Sequence, residues 1–337
     1  MPQLLAGLAA AAPFLLGIVT AQSSALPQAS PDGTGLVDSP RSHQIFRFAD
    51  PAITEASALV VQDGLFLTVN DSGDTGRVFA VDRSGATVGV TRWSDSATDV
   101  ESLAPAGPGF VWVGDLGDNL RSRDDVEITR VPVGRGDRTV RATSYRLTYS
   151  GGPTDAETLL RDPVTGRLYV ATKNLFGGRL YAVPERLNAV GPNRMRPVGR
   201  VLPFATDGSF FPDGRHLVVR DYGSATVYDW PSLDRVGSFA LPSQRQGEGM
   251  AVGPDDTLYL SSEGVRAPVV ATRVPAKIRR AMAAESRSPS AAPAPGAGAS
   301  DPSEPSDEVS HDPWPWALGG LLGVGVLLVL LRALRPR

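Results

Sequence analysis

Between residues 43 and 274 the apolar positions come in short runs of Val, Leu, Tyr, Thr and Phe, alternating with polar positions. Each run stops at a turn signal such as Asp-Gly, Gly-Gly, Pro-Asp-Gly or Pro-Asp-Asp. Short alternating runs punctuated this often predict strands of an all-β sandwich, barrel or propeller. A longer period selects among these. An acidic residue opens an apolar run at Glu55, Glu101, Glu157, Asp207 and Glu248, at spacings of 46, 56, 50 and 41 residues. Four short strands with their turns need about 40–50 residues in a propeller blade. The last repeat has only three strands before position 274, and Gln44-Ile-Phe-Arg-Phe48 is a strand without a repeat of its own. Supplying the missing outer strand from the N-terminus would close the ring and cover its open edges. The pattern therefore predicts a β-propeller of five blades, with six as the alternative, over residues 43–274.

The flanks are of other kinds. Residues 1–21 are apolar and end in Val19-Thr-Ala21, which predicts a signal peptide. Residues 22–42 read as a flexible arm, 275–285 as a short helix with Pro275 at its first turn, and 286–313 as a disordered Ser/Pro/Ala-rich stalk. Residues 314–331 carry no charge and predict a transmembrane helix, with Trp314 and Trp316 at one boundary and Arg332, Arg335 and Arg337 in a short tail at the other. The positive-inside tendency puts that tail, 332–337, in the cytoplasm and the propeller outside the cytoplasmic membrane, held there by a single pass.

Composition narrows the chemistry. The chain of 337 residues has no cysteine, three histidines and a net charge of −3. Disulfides, thiolate metal sites and a cysteine nucleophile are excluded. No concentrated basic stripe exists to neutralise phosphates, so nucleic acid is not an expected partner.

Glu55-Ala-Ser-Ala-Leu59, Asn70-Asp-Ser-Gly-Asp74, Asp99-Val-Glu-Ser-Leu103, Gly114-Asp-Leu-Gly-Asp-Asn119, Asp155-Ala-Glu-Thr-Leu159 and Gln246-Gly-Glu-Gly-Met250 form a recurrent set. Together these segments resemble secreted or membrane-anchored β-propeller proteins of actinobacteria, which belong loosely with phytase-like and gluconolactonase-like propellers. The resemblance covers about residues 44–274 and implies the fold. The group it points to includes calcium-dependent hydrolases, phytases and pure binding proteins. Only the acidic blade-start positions are matched here.

In a blade, the start of the first strand and the end of the second lie on one face. That places Glu55, Glu101, Glu157, Asp207 and Glu248 around one channel mouth, with Asp71, Asp115, Asn70 and Asn119 behind them. Hard oxygen donors without histidine or cysteine suit a divalent cation, and calcium is the one expected. The metal candidates are Glu55, Glu101, Glu157, Asp207, Glu248, Asp71 and Asp115. The first reading of the ring is nevertheless structural, because Asp and Asn side chains tie down tight turns, and the bound cation is its alternative. Lys173, Arg220 and Glu263 break the symmetry of the repeats and, with Asn70 and Asn119, are the ligand-binding candidates. The expected function is an extracytoplasmic module that binds a ligand or protein at this mouth. Its alternative is a calcium-dependent hydrolase of phosphoesters, lactones or esters with Glu101 or Glu157 as base.

Overall fold

The strands are short, and most follow one another as antiparallel neighbours. The structure, a computed structural model, describes residues 41–71, 73–94 and 97–285. The expected signal peptide, stalk, membrane span and tail, and nearly all of the arm, lie outside these residues. Among the described residues no helix is long and apolar enough to cross a membrane.

β1 (His43–Arg47) comes first in the chain. Then β2 (Val60–Gln62), β3 (Leu65–Thr68), β4 (Gly76–Val81) and β5 (Thr87–Ser94) form one antiparallel meander. The next group comprises β6 (Val100–Pro105), β7 (Phe110–Asp115), β8 (Val126–Pro132) and β10 (Ser144–Tyr149). Between β8 and β10, the two-residue β9 (Arg138–Thr139) adds in parallel to the outer edge of β5. β11 (Ala156–Arg161), β12 (Leu168–Thr172), β13 (Gly178–Ala182) and β14 (Asn193–Val201) repeat the meander. A short parallel pairing of β10 with β14 joins this group to the one before it in an eight-stranded sheet. β15 (Asp207–Phe210), β16 (His216–Arg220), β17 (Ser224–Asp229) and β18 (Arg235–Ala240) form a separate sheet.

The final group has three consecutive strands, β19 (Gly247–Val252), β20 (Thr257–Ser262) and β21 (Pro268–Arg273). Its fourth strand is β1, antiparallel to β21 with His43 opposite Ala271. Helix α1 (Ala276–Glu285) follows, and its Ile278 and Met282 pack beneath β18.

The first strands close a cycle: β2 touches β6, β6 touches β11, β11 touches β15, β15 touches β19, and β19 touches β2. Five apolar clusters fill the spaces between successive groups. A single strand feeds two of them. In β12, Leu168 and Val170 pack toward the preceding group while Tyr169 and Ala171 pack toward the following one. Burial on both faces is why the middle strands read as continuous apolar runs rather than strict alternation. The architecture is all-β and propeller-like.

The axis is apolar along part of its length. A cavity of about 170 Å³ is lined there by residues of all five first strands, among them Val60, Leu103, Leu159, Phe210 and Ala251. The acids sit at the beginnings of these strands, so the polar and apolar stretches of the axis are separated along the strand direction.

Candidate functional site

Hydrogen bonds fix the true register of the strand starts. The carbonyls of Glu55, Asp99, Asp155 and Gln246 accept from the amides of Asp71, Gly117, Lys173 and Glu263. These four residues are therefore equivalent. Two positions on, Ser57 Oγ donates to the Glu101 carbonyl and Thr206 Oγ1 donates to the Glu248 carbonyl, each at 3.3 Å. Ser57, Glu101, Glu157, Thr206 and Glu248 form the next column. Three of the five expected acids, Glu101, Glu157 and Glu248, thus share a column, and all three are buried. Glu55 belongs to the preceding column and is exposed. Asp207 stands one position later.

The bulges in the ladder explain the inward aim of the three acids. Pairing skips Glu101 between Val100 and Ser102, Glu157 between Ala156 and Thr158, and Glu248 with Gly249 between Gly247 and Met250. A bulged residue has no cross-strand partner and its side chain is re-aimed. β15 has no such skip, and Asp207 pairs regularly with Arg220.

Asp207 has a different task. Its Oδ2 accepts from the amides of Met250 at 2.7 Å and Leu59 at 3.4 Å, and its Oδ1 accepts from Gly208 at 2.8 Å. One fully buried carboxylate therefore ties together the starts of three first strands. Burial pushes its carboxyl well up, while the three amides and the Arg220 charge pull it back. Arg220, expected at the ligand, is fully buried and bonds inward to the carbonyls of Gly249 at 3.1 Å and Asp221 at 3.0 Å. Burial brings its guanidinium down to about 10, against the charges of Asp207, Asp221 and Glu248. Gly247 makes room for it, since a Cβ there would lie 2.3 Å from Arg220 Nη2. Asp207 and Arg220 hold the ring and present no surface to a ligand.

Other expected residues are also committed. Asp115 accepts from the amides of Thr98 and Asp99 and from Arg123 Nη1 at 2.7 Å. Asn70 accepts from the amides of Thr54 and Glu55 and donates to the Ala52 carbonyl and to Asp74. Asn119 is exposed on the loop after β7. His216 is buried between Asp213, at 2.6 Å from Nδ1, and Asp229, at 3.2 Å from Nε2.

What converges at the mouth is a smaller set. Carboxylate oxygens of Asp71, Asp99 and Glu101 all lie within 4.8 Å of one another. Asp99 is the member that alignment on the acids overlooked, although it stands in the Asp-Val-Glu-Ser-Leu segment. It has room because residue 117 is glycine: a Cβ there would sit 2.3 Å from Asp99 Cγ. Glu101 Oε2 accepts from Ser57 Oγ at 2.7 Å. Asp99 Oδ1 is buried and has no hydrogen-bond partner among the described residues. Beside this trio, Lys173 Nζ contacts Glu157 Oε1 and lies 5.2 Å from the centre of the Tyr222 ring. Glu248 and Glu263 share a hydrogen bond.

The electrostatics follow from crowding like charges in a buried space. Burial, then the neighbouring Asp71, raises Asp99 to about 7. Burial and the charge of Glu157 hold Glu101 well above the ordinary carboxylate range. Burial lifts Glu157 to about 7 despite Lys173, and burial with Glu263 lifts Glu248 to about 9. Burial by itself would lower the Lys173 ammonium, but the charge and hydrogen bond of Glu157 more than offset it, so it is raised. At neutral pH this mouth holds protons that a cation would displace.

No family of known proteins matches the chain, and no curated protein matches it. Among solved structures, a glucose dehydrogenase is similar at a TM-score of 0.42 and 12% identity, over 70% of this chain and 100% of that one. A chain of a nidogen/laminin complex is similar at 0.41 and 14% identity, over 64% of this chain and 74% of that one.

Proposed function

We propose that this chain is a five-bladed propeller displayed outside the cytoplasmic membrane, which binds a divalent cation, and through it an external ligand, at its acidic mouth. The closed cycle of first strands and the completion of the last sheet by β1 support the blade count. The charge-free stretch at 314–331 supports the anchoring. One observation carries the binding role: three carboxylates within 4.8 Å, one with a buried oxygen lacking a partner. Calcium fits, because it takes carboxylate and backbone oxygens in flexible geometry and needs neither histidine nor thiolate. Asp71, Asp99 and Glu101 would hold it.

The test is a metal analysis and thermal melt of the full chain, with calcium and with chelator. Calcium should raise the melting temperature, and Asp99→Asn or Glu101→Gln should remove most of that rise. No bound calcium and no shift would end the cation reading.

A second reading has its own observation: Glu157, raised to about 7 and touching Lys173, is tuned for proton transfer near neutral pH. A bound cation would supply electrostatic activation of water or substrate, with Glu157 as the base. A panel of phosphoesters, lactones and esters against the wild type and Glu157→Gln decides this. Turnover that Glu157→Gln abolishes supports hydrolysis; its absence leaves the binding module.

A further inference from the structure

A second cavity lies beside the acidic mouth and has the opposite character. It measures about 580 Å³, within the size range of small-molecule sites. Arg121, Arg179 and Arg200 line it, and no carboxylate does. In a chain with net charge −3, three arginines on one cavity whose lining holds no carboxylate form a distinct local field.

The arginines come from the β7–β8 loop, from β13 and from β14. Arg121 is held by Asn174, whose Oδ1 accepts from its Nη2 at 2.7 Å. The Asn174 amide donates in turn to Thr172 Oγ1 at 3.0 Å. Arg200 Nη2 donates to the Phe176 carbonyl at 3.3 Å. Arg179 lines the same cavity, and its guanidinium has no hydrogen bond or ion pair among the described residues. Elsewhere, Arg77, Arg123, Arg146, Arg167 and Arg273 are each paired with a carboxylate. Two guanidiniums positioned by neutral acceptors, and a third left open, suit an anion with several oxygens. The planar fork of arginine matches phosphate better than a point charge does.

The rest of the lining indicates what the phosphate is attached to. Phe176 is 88% exposed at the rim, a ring face with nothing packed over it. Gly151, Gly152 and Pro153 line another side without bulk, and a Cβ at Gly152 would meet open space. Hydroxyl-bearing Thr154 and Thr172 also line the wall. An aromatic face beside hydrogen-bonding groups suits a sugar ring.

We propose that this cavity is a binding site for a phosphate-bearing saccharide, with Arg121, Arg179 and Arg200 on the phosphate and Phe176 against the sugar. It is separate from the cation reading and can be tested in chelator, so failure of one leaves the other standing.

The experiment is calorimetric titration of the full chain with glucose 6-phosphate, inorganic phosphate and glucose. Glucose 6-phosphate should bind at least about tenfold more tightly than inorganic phosphate, and glucose should not bind. Arg179→Gln and Arg200→Gln, both on exposed side chains, should each weaken glucose 6-phosphate about tenfold, the step that a charge-assisted bidentate contact commonly supplies. Phe176→Ala should erase the advantage over inorganic phosphate and leave phosphate binding unchanged. Rising salt should weaken the wild type. No binding of either phosphate at about 10 mM, or binding that the double arginine variant does not change, overturns the proposal. Equal affinity for inorganic phosphate and glucose 6-phosphate overturns its saccharide part.

Discussion

Replacing Glu248 by glutamine should stabilise the protein at neutral pH, a result opposite to the usual expectation for a buried hydrogen-bonded side chain. Glu248 is only 4% exposed, shares a proton with Glu263, and is raised from 4.5 to about 9. In the unfolded chain the carboxyl ionises freely above pH 4.5. The folded state binds the proton more tightly, so folding takes up a proton across this window. Stability is then greatest below the unfolded value and falls as pH rises toward the folded one. At pH 7 the 2.5 units above 4.5, at ~1.4 kcal/mol each, amount to ~3–4 kcal/mol. That is a large part of the ~5–15 kcal/mol that typical domains possess. Because Glu248 and Glu263 titrate as a pair, the figure belongs to the two together. Glutamine keeps the shape, offers an N–H to Glu263 and has no proton to hold. Urea unfolding of wild type and Glu248→Gln in chelator, from pH 5.5 to 8, measures this. The variant should gain up to ~3–4 kcal/mol at pH 7 and show a flatter pH slope. A variant less stable than wild type at pH 7, with the slope unchanged, would refute the reasoning.

Three further outcomes are expected. Asp207→Ala should cost ~3–5 kcal/mol in urea unfolding, because it strands the amides of Leu59 and Met250 and removes the largest of the charges that face the buried Arg220; a loss below ~1 kcal/mol would remove Asp207 from its role as the tie between strand starts. Calcium binding should tighten from pH 6 to 8 and release at least one proton, since Asp99 titrates near 7 and Glu101 above the ordinary range; calorimetry in two buffers of different ionisation enthalpy reads the proton count, and zero release contradicts it. Gly117→Ala should weaken calcium about tenfold, because the new Cβ would lie 2.3 Å from Asp99 Cγ and such sites tolerate only about 0.5 Å of displacement; unchanged affinity would take Asp99 out of the site.

Most of the architecture is legible in the sequence because turn signals and apolar runs report local structure. The apolar runs at 167–172, 216–220 and 257–261 coincide within a residue with β12, β16 and β20. β9 escapes such a reading, since two residues carry no periodicity. The site was legible only in part, and the reason is register. Aligning the repeats on their acids puts Glu55 beside Glu101, whereas aligning them on Leu59, Leu103, Leu159 and Met250 puts Ser57 there, as the hydrogen bonds do. Glu55 is thus two residues out of register and Asp207, against Thr206, is one residue out; a shift of one residue turns a side chain to the other face of a strand. Bulges hide that shift, because they add a residue without altering the apolar pattern. Asp99 and Asp155 were visible as letters but not as a column. The arginine cavity left no trace at all: residues 121, 151–154, 174–179 and 200 meet only through the folded meander.

The pairing of β1 with β21 joins residues 228 positions apart, His43 with Ala271. β1 is the first of these strands to be synthesised, and β21, the edge that receives it, is the last of them. Its anchor is Phe46, whose ring meets Phe48 at 5.7 Å and Phe66 at 4.9 Å. Nothing in that contact distinguishes a strand arriving from the same chain from one arriving from a neighbour. Only proximity does, and its advantage is an effective concentration that a crowded solution can match. Refolding in dilute solution should therefore give closed single rings, and refolding at high concentration should add strand-exchanged pairs in which each copy completes the other, which size-exclusion chromatography of the refolded protein would separate.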